Sequence, residues 1–160
     1  MGESTCRVKF WALPIYAGGN ATLNLRMLME IAMERCATAR CAILLMGDLA
    51  IKYGFYGAAA PTDSAFNQQN EAGEALTVSD TTETWVFHVM PDDTATSAIW
   101  VAQRVPTDHI TAIANQFIIT TPNLTDTDNF MGSTNMYDVA KRNNLWSEDS
   151  GVPFNFAKVN

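Results

Sequence analysis

The chain has 160 residues, 48% of them hydrophobic and 17% charged, which is enough for one globular domain with a real core. Ten Lys and Arg face seventeen Asp and Glu, and the net charge of -7 with no basic cluster argues against a nucleic-acid-binding surface. The longest apolar run, residues 41–46, falls far short of the roughly 20 residues that span a bilayer, and the first residues carry no signal-peptide pattern.

Residues 3–16 read as an extended opening in which Pro14 limits any strand. A turn over 17–20 follows. Leu25, Leu28, Met29, Ala32 and Cys36 recur at helical spacing, so residues 24–36 predict a helix that Asn24 can cap. Thr38 is placed to cap a second helix over 39–53, whose wide apolar face implies cover on more than one side, and Gly54 stops it. The short link between the two predicts a helical hairpin.

Residues 56–74 have no period and read as a surface loop, the best candidate for mobility. The period then changes to two. Residues 75–79 and 84–89 predict strands around a turn at 80–83, and residues 97–104 predict a third strand. The pieces 109–114 and 117–120 read as strand or extended chain. Residues 121–132 are polar and turn-rich, 134–143 predict a short helix, and 154–159 look like the start of another. Two helices beside an antiparallel meander make an α+β layered domain, taken as a single unit over 1–160.

Chemistry-bearing patterns are sparse. His88 and His109 lie on separate extended segments with no partner at metal-ligand spacing. The run Asp126, Asp128, Asn129 lacks the later ligands of a calcium loop and reads as a polar turn. Asp92 and Asp93 sit in a turn, where solvated acids are the ordinary case. No phosphate-binding glycine pattern and no serine-hydrolase elbow is present. Of the cysteines Cys6, Cys36 and Cys41, the last two lie on or beside helical patterns and read as reduced, buried thiols. The sequons at Asn20 and Asn123 matter only for a secreted protein.

Several stretches, taken in order, carry a resemblance: Gly2-Glu-Ser-Thr-Cys6, the helix ending in Lys52-Tyr-Gly54, the hairpin from Glu74 to His88, then Trp100-Val-Ala-Gln-Arg-Val-Pro106, Asp108-His109 and Ala114-Asn115-Gln116, and finally 128–131 and 153–156. The ordered set resembles the cysteine dipeptidase family of N-terminal-nucleophile hydrolases, which includes bacterial dipeptidases and the secernins. The resemblance implies an αββα sandwich, of which this chain would be a partial, internal piece. It implies a thiol-dependent dipeptidase acting on short peptides through an N-terminal cysteine thioester, with no metal or organic cofactor; the acidic charge and the short apolar runs separately predict no nucleic-acid or membrane partner. A non-catalytic secernin-like interaction module and an amidase on other acyl amides are the alternatives.

Cys6 falls in the strand that follows the family's nucleophile segment, so it reads as a packed strand thiol, and the nucleophile is expected upstream of Met1. Asn115 is the candidate oxyanion donor or, alternatively, the cap of the turn after its strand. Thr5 could offer a backbone N–H or its hydroxyl. Arg104 either holds a substrate carboxylate by a bidentate pair or forms a salt bridge with Asp108 or another acid. Glu3 and His109 are weaker candidates.

Overall fold

The computed structural model describes residues 1–57 and 71–159. Its centre is one five-stranded antiparallel sheet in the order β1-β2-β3-β4-β5. The strands are β1 (Gly2–Cys6), β2 (Gly73–Ser79), β3 (Thr84–Pro91), β4 (Ala98–Val105) and β5 (Phe130–Gly132). Among the described residues three α-helices accompany it: α1 (Leu25–Arg35), α2 (Ala39–Tyr53) and α3 (Asn135–Arg142). The class is α+β, as the period change predicts.

The helix boundaries follow local chemistry. The Asn24 side-chain oxygen accepts the N–H of Met27 at 2.9 Å, and Thr38 Oγ1 accepts that of Cys41 at 3.2 Å. Each satisfies one of the donors that a helix start leaves free. Gly54 ends α2 with φ of 73°, a conformation that costs glycine nothing. Asp80 organises the turn between β2 and β3. Its Oδ1 accepts the N–H groups of Thr82 and Glu83, and its Oδ2 accepts that of Ala39 at 2.8 Å, tying the hairpin to the start of α2.

Alternation along the strands gives the sheet two apolar faces. On one, Leu76, Val78, Trp85, Phe87, Val89, Trp100 and Ala102 pack against Leu28, Ala32, Ile43, Met46 and Ala50 of the helical hairpin. Trp100 lies so close to α2 that a side-chain carbon at Gly47 would overlap its indole ring. On the other face, Ala75, Val86, Met90, Ile99 and Val101 pack under Phe117, Ile119, Met136, Val139, Phe154 and Phe156. Each fully buried side chain of Leu or Phe size contributes about 1.5–3 kcal/mol relative to exposure. Both faces are covered, which is why β3 is buried almost throughout rather than alternating.

Four expectations change. Residues 109–120 add no strand to the sheet; instead Phe117 and Ile119 lie over its second face. The edge position beside β4 goes to β5, within the stretch that reads as turn-rich; Val101 pairs with Gly132 and Gln103 with Phe130. The end of the chain holds a single 3-10 turn, Phe156–Lys158, and no longer helix within the described residues. Cys36 and Cys41 are not reduced thiols: they form a disulfide across the junction of α1 and α2. The expected mobility of 56–74 falls mainly on residues outside those described, while Gly73 and Glu74 already belong to β2.

Candidate functional site

Among the described residues β1 is an edge strand that pairs with β2 alone, in the register Gly2↔Thr77 to Cys6↔Gly73. Against its end sits Asn115, more than a hundred residues later. Asn115 has φ of 53°, a left-handed conformation that asparagine tolerates better than most residues. Its backbone N–H donates to Ser4 Oγ at 2.9 Å, and its side-chain Nδ2 donates to the Thr5 carbonyl at 2.8 Å. Two residues named from the sequence, Thr5 and Asn115, are thus brought into direct contact. Asn115 is solvent-exposed and Thr5 half-buried, so the pair lies at the surface of the sheet edge.

What holds Asn115 there is the segment behind it. Phe117 stacks on His88 with ring centroids 4.7 Å apart, and His88 Nε2 accepts the N–H groups of Ile118 and Ile119 at 3.0 and 3.3 Å. A nitrogen that accepts two donors carries no proton, so the network assigns the proton to Nδ1. His88 is fully buried, and burial pulls its pKa down to about 3, so the ring is neutral. It acts as a two-point anchor for backbone.

Across β1, Thr5 faces Glu74 in the ladder. Glu74 is completely buried, and among the described residues neither carboxyl oxygen makes a hydrogen bond of good geometry, the Thr5 hydroxyl being the nearby donor. Burial foremost, and then the charge of Glu3, push its pKa up to about 8, while the Thr5 hydroxyl works in the other direction. Glu74 is therefore mostly protonated at neutral pH. Sequence reasoning missed it, since residue 74 ends the stretch without a period that reads as a surface loop. Cys6 is also buried, and burial together with Glu74 and Glu3 pushes its thiol up to about 12. A thiol so rarely ionised is a poor nucleophile.

Arg104 lies elsewhere. Its position in β4 pairs with Trp85 of β3, at the end of the sheet where β2 and β3 turn, whereas Thr5 and Glu74 lie towards the other end. Its Nε is 3.5 Å from Glu83 Oε2, and Glu83 also holds Arg40 Nε at 3.0 Å. Arg40 in turn covers the Trp85 ring at 4.6 Å and donates to the carbonyls of Thr127 and Asp128. The acid beside Arg104 is therefore Glu83; Asp108 pairs with His109 at 2.7 Å. Arg104 and His109 line a groove of about 540 Å³ together with Asp80, Thr82, Glu83 and Ile110. Glu3, on β1 beside Glu74, is exposed.

The acids of the turn after β3 are less solvated than expected. Asp92 is 4% exposed and accepts from Thr94 and Ser97, and Asp93 is bound by Arg142 and Asn143. Among the described residues no group of His, Cys, Asp and Glu is arranged to hold a metal ion, and no helix is long and apolar enough to cross a membrane.

Comparison with known proteins bears on the same stretch of chain. A "Probable dipeptidase" from Latilactobacillus sakei is 29% identical over 122 residues, 76% of this chain and 21% of that relative. The chain thus spans about a fifth of the length of the curated relative it matches. The model of Peptidase family C69 matches residues 19–160, which takes in the helical hairpin, the central strands and Asn115. With that match over most of its length, the chain belongs to peptidase family C69.

Proposed function

We propose that the whole protein is a thiol-dependent dipeptidase and that this chain supplies its oxyanion-stabilising edge. The observation that carries the reading is the 2.8 Å hydrogen bond from the Asn115 amide to the Thr5 carbonyl. It puts a neutral, exposed side-chain donor at the end of an edge strand, held by a backbone segment that His88 fastens. A tetrahedral oxyanion is stabilised by a donor of this kind, one fixed in place before the reaction.

In this reading the nucleophile is an N-terminal cysteine of the whole protein. None of the three cysteines here fills that role, because Cys6 is buried and protonated and the other two are joined. An α-amine, with an unperturbed pKa of about 7.7–8.0, is partly neutral near neutral pH and can take the thiol proton. Attack on the peptide carbonyl gives the oxyanion, the amine departs, and water resolves the thioester. Family membership and the name of the relative support short peptides as the substrate class. The sheet with a helical hairpin on one face is compatible with one half of an αββα sandwich, which we infer for the whole enzyme.

The test is Asn115→Gly in the full-length enzyme, because glycine accepts φ of 53° and the change removes only the amide. Loss of one oxyanion donor lowers kcat by about 10²–10³ with little change in KM. A kcat within about threefold of the parent would refute the assignment. A carboxylate-binding role for Arg104 would act from the groove beside Glu83; Arg104→Met would then raise KM for dipeptides while leaving kcat nearly unchanged.

A further inference from the structure

Beyond the peptidase reading, the helical hairpin carries a chemically distinct feature. The Cys36–Cys41 disulfide closes a span of only five residues between the end of α1 and the first turn of α2. It is at the surface: Cys41 is exposed and Cys36 half-buried. Cys36 also lines a cavity of about 350 Å³, walled by Met33, Thr38, Ala39, Val78 and Asp80. Cys41 does not line it. The two sulfurs of one bond thus face different surroundings, one beside a cleft and the other at the start of a helix.

We propose that this disulfide is an exchange site for low-molecular-weight thiols, with Cys36 the sulfur attacked and Cys41 the leaving thiolate. The thiolate R–S⁻ enters the cavity and attacks Cys36 Sγ. A new R–S–S–Cys36 bond forms, and the electron pair of the old bond leaves on Cys41 Sγ. A second R–S⁻ attacking the R sulfur of that adduct releases R–S–S–R and the Cys36 thiolate. No oxidant, metal or further cofactor is consumed.

The direction follows from the position of the leaving group. Cys41 is the third residue of a fifteen-residue helix, where the positive end of the helix dipole stabilises a negative charge, although Asp80 and Thr38 already take the N–H groups of Ala39 and Cys41. Cys36 caps the opposite kind of end, where carbonyl groups disfavour one. In thiol–disulfide exchange the thiol of lower pKa leaves faster. The third cysteine cannot compete from within, since Cys6 is buried in the core on the other face of the sheet and its thiol stays protonated.

Trypsin separates the two partners, because Arg35, Arg40 and Lys52 place them on peptides 36–40 and 41–52. The oxidised 160-residue chain is incubated with reduced glutathione, quenched in acid, alkylated with N-ethylmaleimide and digested. The expected result is glutathione on peptide 36–40 and maleimide on peptide 41–52, in excess over the reverse pattern by about two- to fivefold, the bias a helix terminus confers. Equal or reversed labelling overturns the proposal. So does maleimide on both peptides before any thiol is added, or no adduct in the folded chain under conditions where the urea-unfolded chain reacts. The single variants give an independent reading: Cys41 in Cys36→Ser should alkylate with a pH midpoint below that of Cys36 in Cys41→Ser, and coincident midpoints would count equally against the assignment.

Discussion

Two buried ionisable groups make the stability of this fold depend on pH in opposite directions. His88 has a folded pKa of about 3 against 6.5 for the free side chain. Below pH 6.5 the unfolded chain takes a proton there that the folded chain refuses, so stability falls as pH falls, down to about pH 3. Glu74 has a folded pKa of about 8 against 4.5. Above pH 4.5 the unfolded chain releases a proton that the folded chain keeps, so stability falls as pH rises, up to about pH 8. Each full proton of difference changes the unfolding free energy by about 1.4 kcal/mol per pH unit. Between pH 4.5 and 6.5 the two slopes cancel, and a plateau results. On either side one slope acts alone for about 1.5 units, so each limb loses about 2 kcal/mol.

Urea denaturation of the chain from pH 3 to 8.5 measures this directly. The Cys6 thiol, raised from 9.0 to about 12 in the fold, adds an alkaline loss of its own that begins only as pH nears 9, so it touches just the last half unit of that window. Asp80 and Asp93 are held below the usual carboxylate range by their donors, so they steepen the acid limb and leave the alkaline one alone. The alkaline limb is therefore diagnostic of Glu74. Glu74→Gln should abolish it, leaving stability that rises to about pH 6.5 and then stays level. An alkaline limb that persists unchanged in Glu74→Gln, or parent stability that climbs steadily to pH 8, would refute the burial argument.

Other perturbations read out single contacts. His88→Leu orphans the N–H groups of Ile118 and Ile119; it should cost about 2–4 kcal/mol in urea unfolding and, in the full-length enzyme, lower kcat through a misplaced Asn115. Gly47→Ala improves helix propensity yet drives a methyl group into Trp100, so thermal melts should show a net loss of about 1–3 kcal/mol in place of a gain. Joining two residues five apart restricts the unfolded chain by about 2 kcal/mol, so Cys36→Ser with Cys41→Ser should lower stability by that amount, and added reductant should not lower it further. Thr38→Ala removes the cap of α2 and should cost about 1 kcal/mol by the same assay.

Local chemistry was legible where it is local. Asn24 and Thr38 announce helix starts because their oxygens serve donors three residues away, and the alternation from 75 to 104 announces strands because each side chain's face is set by its immediate neighbours. The segment 109–120 misleads for the same reason. Its β-branched residues suit an extended chain, but nothing local says whether that chain joins the ladder or lies across it, and the buried Phe117 and Ile119 settle the matter by packing on His88 and its neighbours. β5 is three residues long and shows no period at all; it is fixed only by partners in β4. The disulfide depends on the angle between two helices, which no spacing rule supplies.

The candidate site was legible as residue types and opaque as an arrangement. Thr5 and Asn115 came from family likeness, and their contact depends on two non-local facts: β1 pairs with β2 across the whole helical hairpin, and the backbone after Asn115 is bonded to His88 of the central strand. Glu74 shows why such facts matter for function. Its place in the sequence says only that an acid precedes Ala75-Leu-Thr-Val; its place in the ladder puts it opposite Thr5, on the sheet face that the helices cover. Burial then changes its chemistry, from a solvated carboxylate to a neutral acid beside the proposed oxyanion edge. On the proposed reading, a negative charge there would oppose the charge that develops on the substrate oxygen, so protonated Glu74 is the state that favours the reaction. The pH dependence of kcat should therefore fall on the alkaline side as Glu74 ionises near pH 8, and in Glu74→Gln that limb should move to higher pH or vanish. An unchanged alkaline limb in an otherwise stable Glu74→Gln enzyme would show that Glu74 serves the fold alone.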